Sequence, residues 1–209
     1  MRLPYAPQEP PSADPDTVAI YQRIAERRHP RPLIPLDLSL LHAPPVADGW
    51  NSFLGAIRTR TQVDTGLLEM AVCRVAVLNG AVYEWNSHAP LALKGGIPPA
   101  ALHAVRHLGP TATGEDLAGA RAALDAETAL STAQRAVVRY VDEMTQTVRV
   151  ADDTFAGLQA DAGLSDREIV ELTTGIAGYN CVSRVLVALD VGENNGREMK
   201  SVDELVAAL

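Results

Sequence analysis

Cysteine is nearly absent from this sequence. Cys73 and Cys181 are the only two in 209 residues, too few and too widely separated for a disulfide framework or a zinc-ligand spacing, so both are expected to be reduced, buried residues. Aromatic side chains make up 4% of the chain, and cations are not clustered: the formal net charge is −8 and no basic run extends beyond Arg27-Arg28-His29. Binding a phosphate backbone requires such clusters, so no nucleic-acid partner is expected. No apolar stretch reaches the roughly 18 uncharged residues of a membrane helix, and the opening residues MRLPYAPQEPPSADPD lack the apolar centre of a secretory signal. The expectation is a cytoplasmic chain with no membrane partner. Strict two-residue alternation bounded by hairpin turns is missing as well, which leaves an all-α fold.

The apolar content of 47% is enough to build a core. Pro4, Pro7, Pro10, Pro11 and Pro15 make residues 1–16 an extended arm, able to lie across a neighbouring subunit, and residues 17–209 read as a single helical domain. A helix is predicted from Asp16 to the basic turn Arg27-Arg28-His29, which suits a helix C-terminus. Pro44-Pro45 opens another, with Val46, Trp50, Phe53, Leu54 and Ile57 as its buried stripe. Ser131-Thr132-Ala133-Gln134, Ser165-Asp166-Arg167-Glu168 and Ser201-Val202-Asp203-Glu204 are capping-box patterns that announce three further helix starts. A faint echo between Gly96–Leu102 and Gly163–Ile169, each a glycine stop followed by a new helix, points to two related helical halves.

The stretch that organises the rest is Leu67 to Pro90. Its first part, Leu67 to Leu78, carries only Glu69 and Arg74 as charges, so a helix there would be apolar around most of its circumference and lie inside the protein. After Asn79-Gly80 a second helix places Glu84 and His88 at i,i+4 spacing on one face. Imidazole beside a carboxylate can move protons near neutral pH, or can be a plain surface contact. Glu69 reads either as a relay carboxylate or as half of an ion pair with Arg58, Arg74 or Arg184. Tyr83, Trp85 and Trp50 could wall a pocket for a planar or lactone-like ligand. Tyr179 and Asn180 read as hydrogen-bonded core residues. His103 and His107 lack a third ligand and read as a solvated face, so no metal is expected.

The run Glu69-Met70-Ala71-Val72-Cys73-Arg74-Val75-Ala76-Val77-Leu78-Asn79-Gly80, followed by Ala81-Val82-Tyr83-Glu84-Trp85-Asn86-Ser87-His88, resembles the carboxymuconolactone decarboxylase family, whose fold is shared with the alkyl hydroperoxidase D (AhpD) proteins. The resemblance is most specific over Asp64 to His107, with Ser165 to Val191 similar to the second helical unit of longer members. It implies an AhpD-like helical bundle. Peroxidase members carry a Cys-x-x-Cys at the positions that are Ala81 and Glu84 here, with a histidine at His88 and a proton-relaying glutamate at Glu69. Lacking those thiols, this chain is more similar to the decarboxylase subgroup, which commonly has Tyr-Glu-Trp where Tyr83-Glu84-Trp85 stand.

The resemblance implies cofactor-free proton-transfer chemistry on a small carboxylated or lactone-like molecule, in decarboxylation or a related lyase or isomerase step. Glu69, Glu84 and His88 are the expected catalytic residues and Tyr83 and Trp85 the expected substrate-binding ones. Thiol-dependent peroxide reduction is the alternative that family ancestry offers. A non-catalytic oligomeric binding or scaffold protein is another. Two nearly all-apolar helices exceed what a subunit of this size covers, so a homo-oligomer is expected.

Overall fold

The computed structural model describes residues 1–209, and every regular element in it is helical. In chain order these are α1 (Pro15–Arg28), α2 (Pro35–Leu40), α3 (Pro44–Thr59), α4 (Thr65–Leu78), α5 (Val82–Lys94), α6 (Pro99–His107), α7 (Leu117–Ala126), α8 (Thr132–Gln146), α9 (Asp152–Ala160), α10 (Asp166–Leu189) and α11 (Val202–Ala207). Local chemistry sets many of the limits. Helices α1, α2, α3 and α6 begin on proline, where a missing N–H does no harm. Ser131, Ser165 and Ser201 close reciprocal capping boxes with Gln134, Glu168 and Glu204. Gly96 and Gly163 both stop a helix with left-handed backbones, φ 92° and 68°. The echo between them holds at that turn, while the helices that follow have 9 and 24 residues.

Helix α4 is buried without a break from Gly66 to Ala76, because α5, α6, α8 and α10 all pack on it. A Cβ on Gly66 would lie 2.4 Å from the Gly95 carbonyl oxygen. The start of α4 and the end of α5 therefore meet backbone to backbone, and the two helices run antiparallel. Helix α10 is held close in the same way. A Cβ on Gly175 would lie 2.8 Å from Leu68 Cδ1 and one on Gly178 3.1 Å from Phe53 Cε1, so α10 nests against α4 and α3. By length and composition alone α10 could cross a membrane, with mean hydropathy 1.2. Ile169, Leu172, Ile176 and Leu186 spend that apolar character in the main core.

Two sequence expectations need correction. On α3 the buried residues are Ala47, Leu54 and Ile57, whereas Val46 and Phe53 are 58% and 47% exposed. The inward stripe runs through 47, 54 and 57, so α3 is rotated by about one residue from the expected face. The N-terminal arm is extended but not loose, and it lies on its own subunit. Arg2 N–H donates to Leu189 O (2.8 Å), Ala6 N–H to Leu38 O (3.1 Å), and Ala6 is buried with Ile24, Leu33 and Leu38 in a small second core.

Arg74, the one cation of α4, has no exposed side-chain surface, and neither has its partner Asp142 on α8. Its guanidinium donates to both Asp142 oxygens (2.7 and 2.8 Å), to Val105 O and Leu108 O (both 2.9 Å) and to Gly109 O (3.0 Å). All five donors are used. Asp142 in turn accepts from the Thr111 backbone N–H and hydroxyl. This cluster ties α4, α8 and the C-terminal end of α6 together, and Glu69 has no share in Arg74. Replacing Arg74 by leucine is expected to lower unfolding free energy by about 3–5 kcal/mol, because Asp142 is left buried without its counter-charge. Urea denaturation checks this, and pairing Arg74→Leu with Asp142→Leu should recover part of the loss.

Candidate active site

Three helices converge on the Glu69 carboxylate. Glu69 sits in the first half of α4, Arg58 in the last turn of α3, and His88 in the middle of α5. His88 Nδ1 lies 2.6 Å from Glu69 Oε2, and Arg58 Nη1 lies 3.2 Å from Glu69 Oε1. Arg58 Nη1 also donates to the Tyr179 hydroxyl of α10 at 2.9 Å. The rings of His88 and Tyr179 stand edge to face with centroids 4.8 Å apart. Arg58 Nη1 is 3.5 Å from His88 Nδ1, but the 2.6 Å contact to the carboxylate decides the tautomer. Nδ1 carries the proton and gives it to Glu69, which leaves Nε2 of a neutral imidazole as a base.

Burial lowers the His88 pKa, and the nearby Arg58 charge lowers it further, while the bond to Glu69 and its negative charge pull the other way; the net direction is down. Neutral imidazole is thus the resting form at pH 7. Burial pushes the Tyr179 phenol up to about 12, against the opposing pull of Arg58, so it stays protonated.

Arg58, His88 and Tyr179 line a cavity of about 320 Å³ whose wall also takes in Tyr83, Glu84, Trp50, Arg27 and Arg31, while Glu69 is bonded to Arg58 and His88 and does not itself line it. Glu84 is its most unusual member. The residue is 1% exposed, and neither carboxyl oxygen has a hydrogen-bond partner. Burial alone raises its pKa well above the ordinary carboxylate value. The expected Glu84–His88 couple is therefore not formed: both face the same cavity, but His88 is bonded to Glu69 and Glu84 has no hydrogen-bond partner. The expectation for Trp85 also fails. It is fully buried away from the cavity and its indole N–H donates to Lys200 O at 3.0 Å. Tyr83 does line the cavity, as expected.

The sequence reading offered Arg58 as one of three partners for Glu69, and placed Tyr179 in the core and Arg27 at a helix end. The signal for Tyr179 was its neighbour Gly178, which lets α10 approach α3 and brings the phenol to Arg58. Asn180 is partly buried and hydrogen-bonded, accepting from Asn79 Nδ2 (3.2 Å) and donating to Thr145 Oγ1 (3.0 Å). Arg184 donates to Asn180 and not to Glu69. Neither cysteine lines the cavity. Cys73 is inside the core, where burial first and the Glu69 charge second push its thiol pKa well up, and Cys181 is on the surface.

A raised Glu84 pKa has a sign that denaturation can read. Between 4.5 and its folded pKa the unfolded chain ionises this group and the folded chain does not, so stability falls as pH rises through that window. Glu84→Gln removes the titration. The variant is expected to gain on the parent by about 1.4 kcal/mol per pH unit across the window. Urea unfolding from pH 4.5 upward measures the difference, and a pH-independent gap would mean that Glu84 ionises normally.

The carboxymuconolactone decarboxylase family model matches residues 44–126, which span α3 through α7. No curated protein matches the chain. Among solved structures, it is similar to the alkylhydroperoxidase AhpD core of an uncharacterized peroxidase-related protein from Ralstonia eutropha JMP134, with TM-score 0.68 and 18% identity over 98% of this chain and 93% of that one. An uncharacterized peroxidase-related protein from Silicibacter sp. TM1040 is similar with TM-score 0.65 and 15% identity, over 94% of each chain. The segment that supplies Arg58, Glu69, Glu84 and His88 thus lies within the residues that match the carboxymuconolactone decarboxylase family model, and the chain as a whole has the AhpD-like fold.

Proposed function

We propose that this protein is a cofactor-free enzyme that moves protons on a small carboxylated or lactone-like substrate, in an isomerase, lyase or decarboxylase step. The observation that carries the reading is the pairing, around one cavity, of a neutral imidazole fixed by Glu69 with a protonated carboxyl that has no partner within the protein. Base and acid are held in separate environments, which is how one site keeps both at neutral pH.

In this reading His88 Nε2 takes a proton from the carbon next to a carbonyl. The electron pair left behind moves onto the carbonyl oxygen, where the Glu84 O–H donates a hydrogen bond. Returning the proton to a different carbon completes an isomerisation. If the carbon–carboxylate bond breaks instead, the same oxygen receives the electron pair and the acid supplies the proton that replaces carbon dioxide. Glu69 holds the imidazole in the productive tautomer and stabilises the imidazolium that forms, while Arg58 and Tyr179 hold Glu69 in place. Thiol-dependent peroxide reduction has less support, since neither sulfur borders the cavity.

The test is hydrogen exchange at carbon. With unsaturated carboxylic acids and carboxylated lactones in deuterated buffer, the wild type is expected to incorporate deuterium, read by NMR. His88→Gln should slow this by about 10²–10⁴-fold, and Cys73→Ala with Cys181→Ser should leave it unchanged. The rate should rise with pH through a midpoint below 6.5, the ordinary histidine value, because only neutral His88 is a base. Loss of exchange in the cysteine variant, with hydroperoxide turnover by a dithiol in the wild type, would replace this reading with the thiol one.

A further inference from the structure

The cavity has a cationic wall that the proton chemistry does not use. It comes from α1 and the segment after it, outside the residues that match the family model. Arg28 is spoken for: its guanidinium grips Asp37 through two bonds of 2.8 and 2.7 Å. Arg27 and Arg31 make no such contact. Arg27 Nε is buried with no hydrogen-bond partner, and burial first, then the charges of Arg28 and Arg58, disfavour its charged form against the opposing pull of Asp37. A guanidinium that is always ionised at neutral pH, half-buried beside two others and with no carboxylate bonded to it, is placed to receive an anion.

The rest of the wall limits what that anion can be. Ile34, Leu36, Trp50, Leu54, Leu91 and Leu186 supply apolar surface, and about 320 Å³ is at the lower end of small-ligand pockets. Of the other polar groups lining it, Arg58 is committed to Glu69 and Tyr179, and Tyr83, Ser87, Tyr179, His88 and the Glu84 carboxyl, whose charged form burial disfavours, ask for a hydrogen-bonding carbon skeleton and not a second negative charge.

We propose that Arg27 and Arg31 form a carboxylate-binding subsite, so that the ligand of this protein is a small amphiphilic monocarboxylate whose acid group docks on α1 while its apolar body fills the space between α3, α5 and α10. This rests on reading the cavity as the substrate site. It makes the segment 27–36 the specificity element of the protein. A carboxylate anchored by two arginines is held as a handle through the reaction, so of the steps proposed above this subsite fits the isomerase or lyase step and not loss of that carboxylate.

Calorimetric titration with benzoate, phenylacetate and hexanoate, each against its primary amide, tests the subsite on the full chain. All three carboxylates are expected to bind the wild type, and the amides at least about tenfold more weakly. Arg27→Gln and Arg31→Gln should each weaken carboxylate binding by about tenfold and leave amide binding unchanged. Arg23→Gln removes a charge from the same helix outside the cavity, where Arg23 pairs with Asp48, and should change nothing. The proposal is overturned if no carboxylate binds the wild type, if amides bind equally well, or if the double variant Arg27→Gln/Arg31→Gln, shown folded by circular dichroism, keeps wild-type affinity. Inorganic phosphate binding as tightly as the carboxylates would overturn the amphiphile. His88→Gln should still bind. Arginine-dependent binding without hydrogen exchange would sink the catalytic reading alone, and exchange with an unchanged KM in the double variant would sink this subsite alone.

Discussion

Helix α4 is enclosed on all sides and carries two opposite charges, and the structure depends on how each is held away from water. Arg74 is saturated. Its five donors end on Asp142 and on three carbonyls that terminate α6, so it is fixed, dry and chemically silent. Glu69, one and a half turns earlier, is shared out differently. It takes one contact from Arg58 and one from His88, and its neighbours open onto a cavity. One helix thus has a structural end and a reactive end. The difference follows from what surrounds each charge: a guanidinium enclosed by carbonyls and a carboxylate has nothing left to offer, whereas an imidazole anchored through Nδ1 keeps Nε2 free.

The contrast between Asp142 and Glu84 makes the same point for acids. Both are buried carboxyls. Asp142 is bonded to Arg74 and to Thr111. Glu84 has no donor near either oxygen. Leaving such a group unpartnered costs about 1–3 kcal/mol, a penalty that packing residues do not carry without return. At the wall of a cavity that also presents Arg27 Nε without a partner, the proposed ligand would supply partners to both groups at once.

Most of the helices were legible from the sequence, because prolines, glycines and serine caps act locally and the structure reads them as the chain does. The buried state of α4 followed from composition alone. The wiring of the site was not legible to the same depth. Spacing along one helix can place Glu84 and His88 on a common face, but it says nothing of Glu69 or of Tyr179, which reaches Arg58 across 121 positions. For Trp85 the information was present and pointed the other way. Trp85, Ala89 and Ala92 are buried while Glu84, His88 and Leu91 line the cavity, two faces of α5 that a 3.6-residue period separates. A tryptophan adjacent to Glu84 in sequence had to point away from it. The α3 stripe failed for a related reason: Val46 and Phe53 are as apolar as Ala47 and Leu54, so hydrophobicity could not fix the rotation of that helix.

The family resemblance places Glu84 where peroxidase members hold a thiol, and Ala81 where they hold the other. Ala81 is 1% exposed at the start of α5 and offers no functional group, so the exchange leaves a single polar atom set in place of a sulfur couple. A carboxylic acid there can give and take a proton but cannot pass electrons. The part of the site that handles protons needs no sulfur, since Glu69 fixes the imidazole from α4 and Arg58 fixes Glu69 from α3. In the proposed reading such a site would carry proton transfer and not electron transfer, on a substrate with an acidic carbon and a charge for α1 to hold.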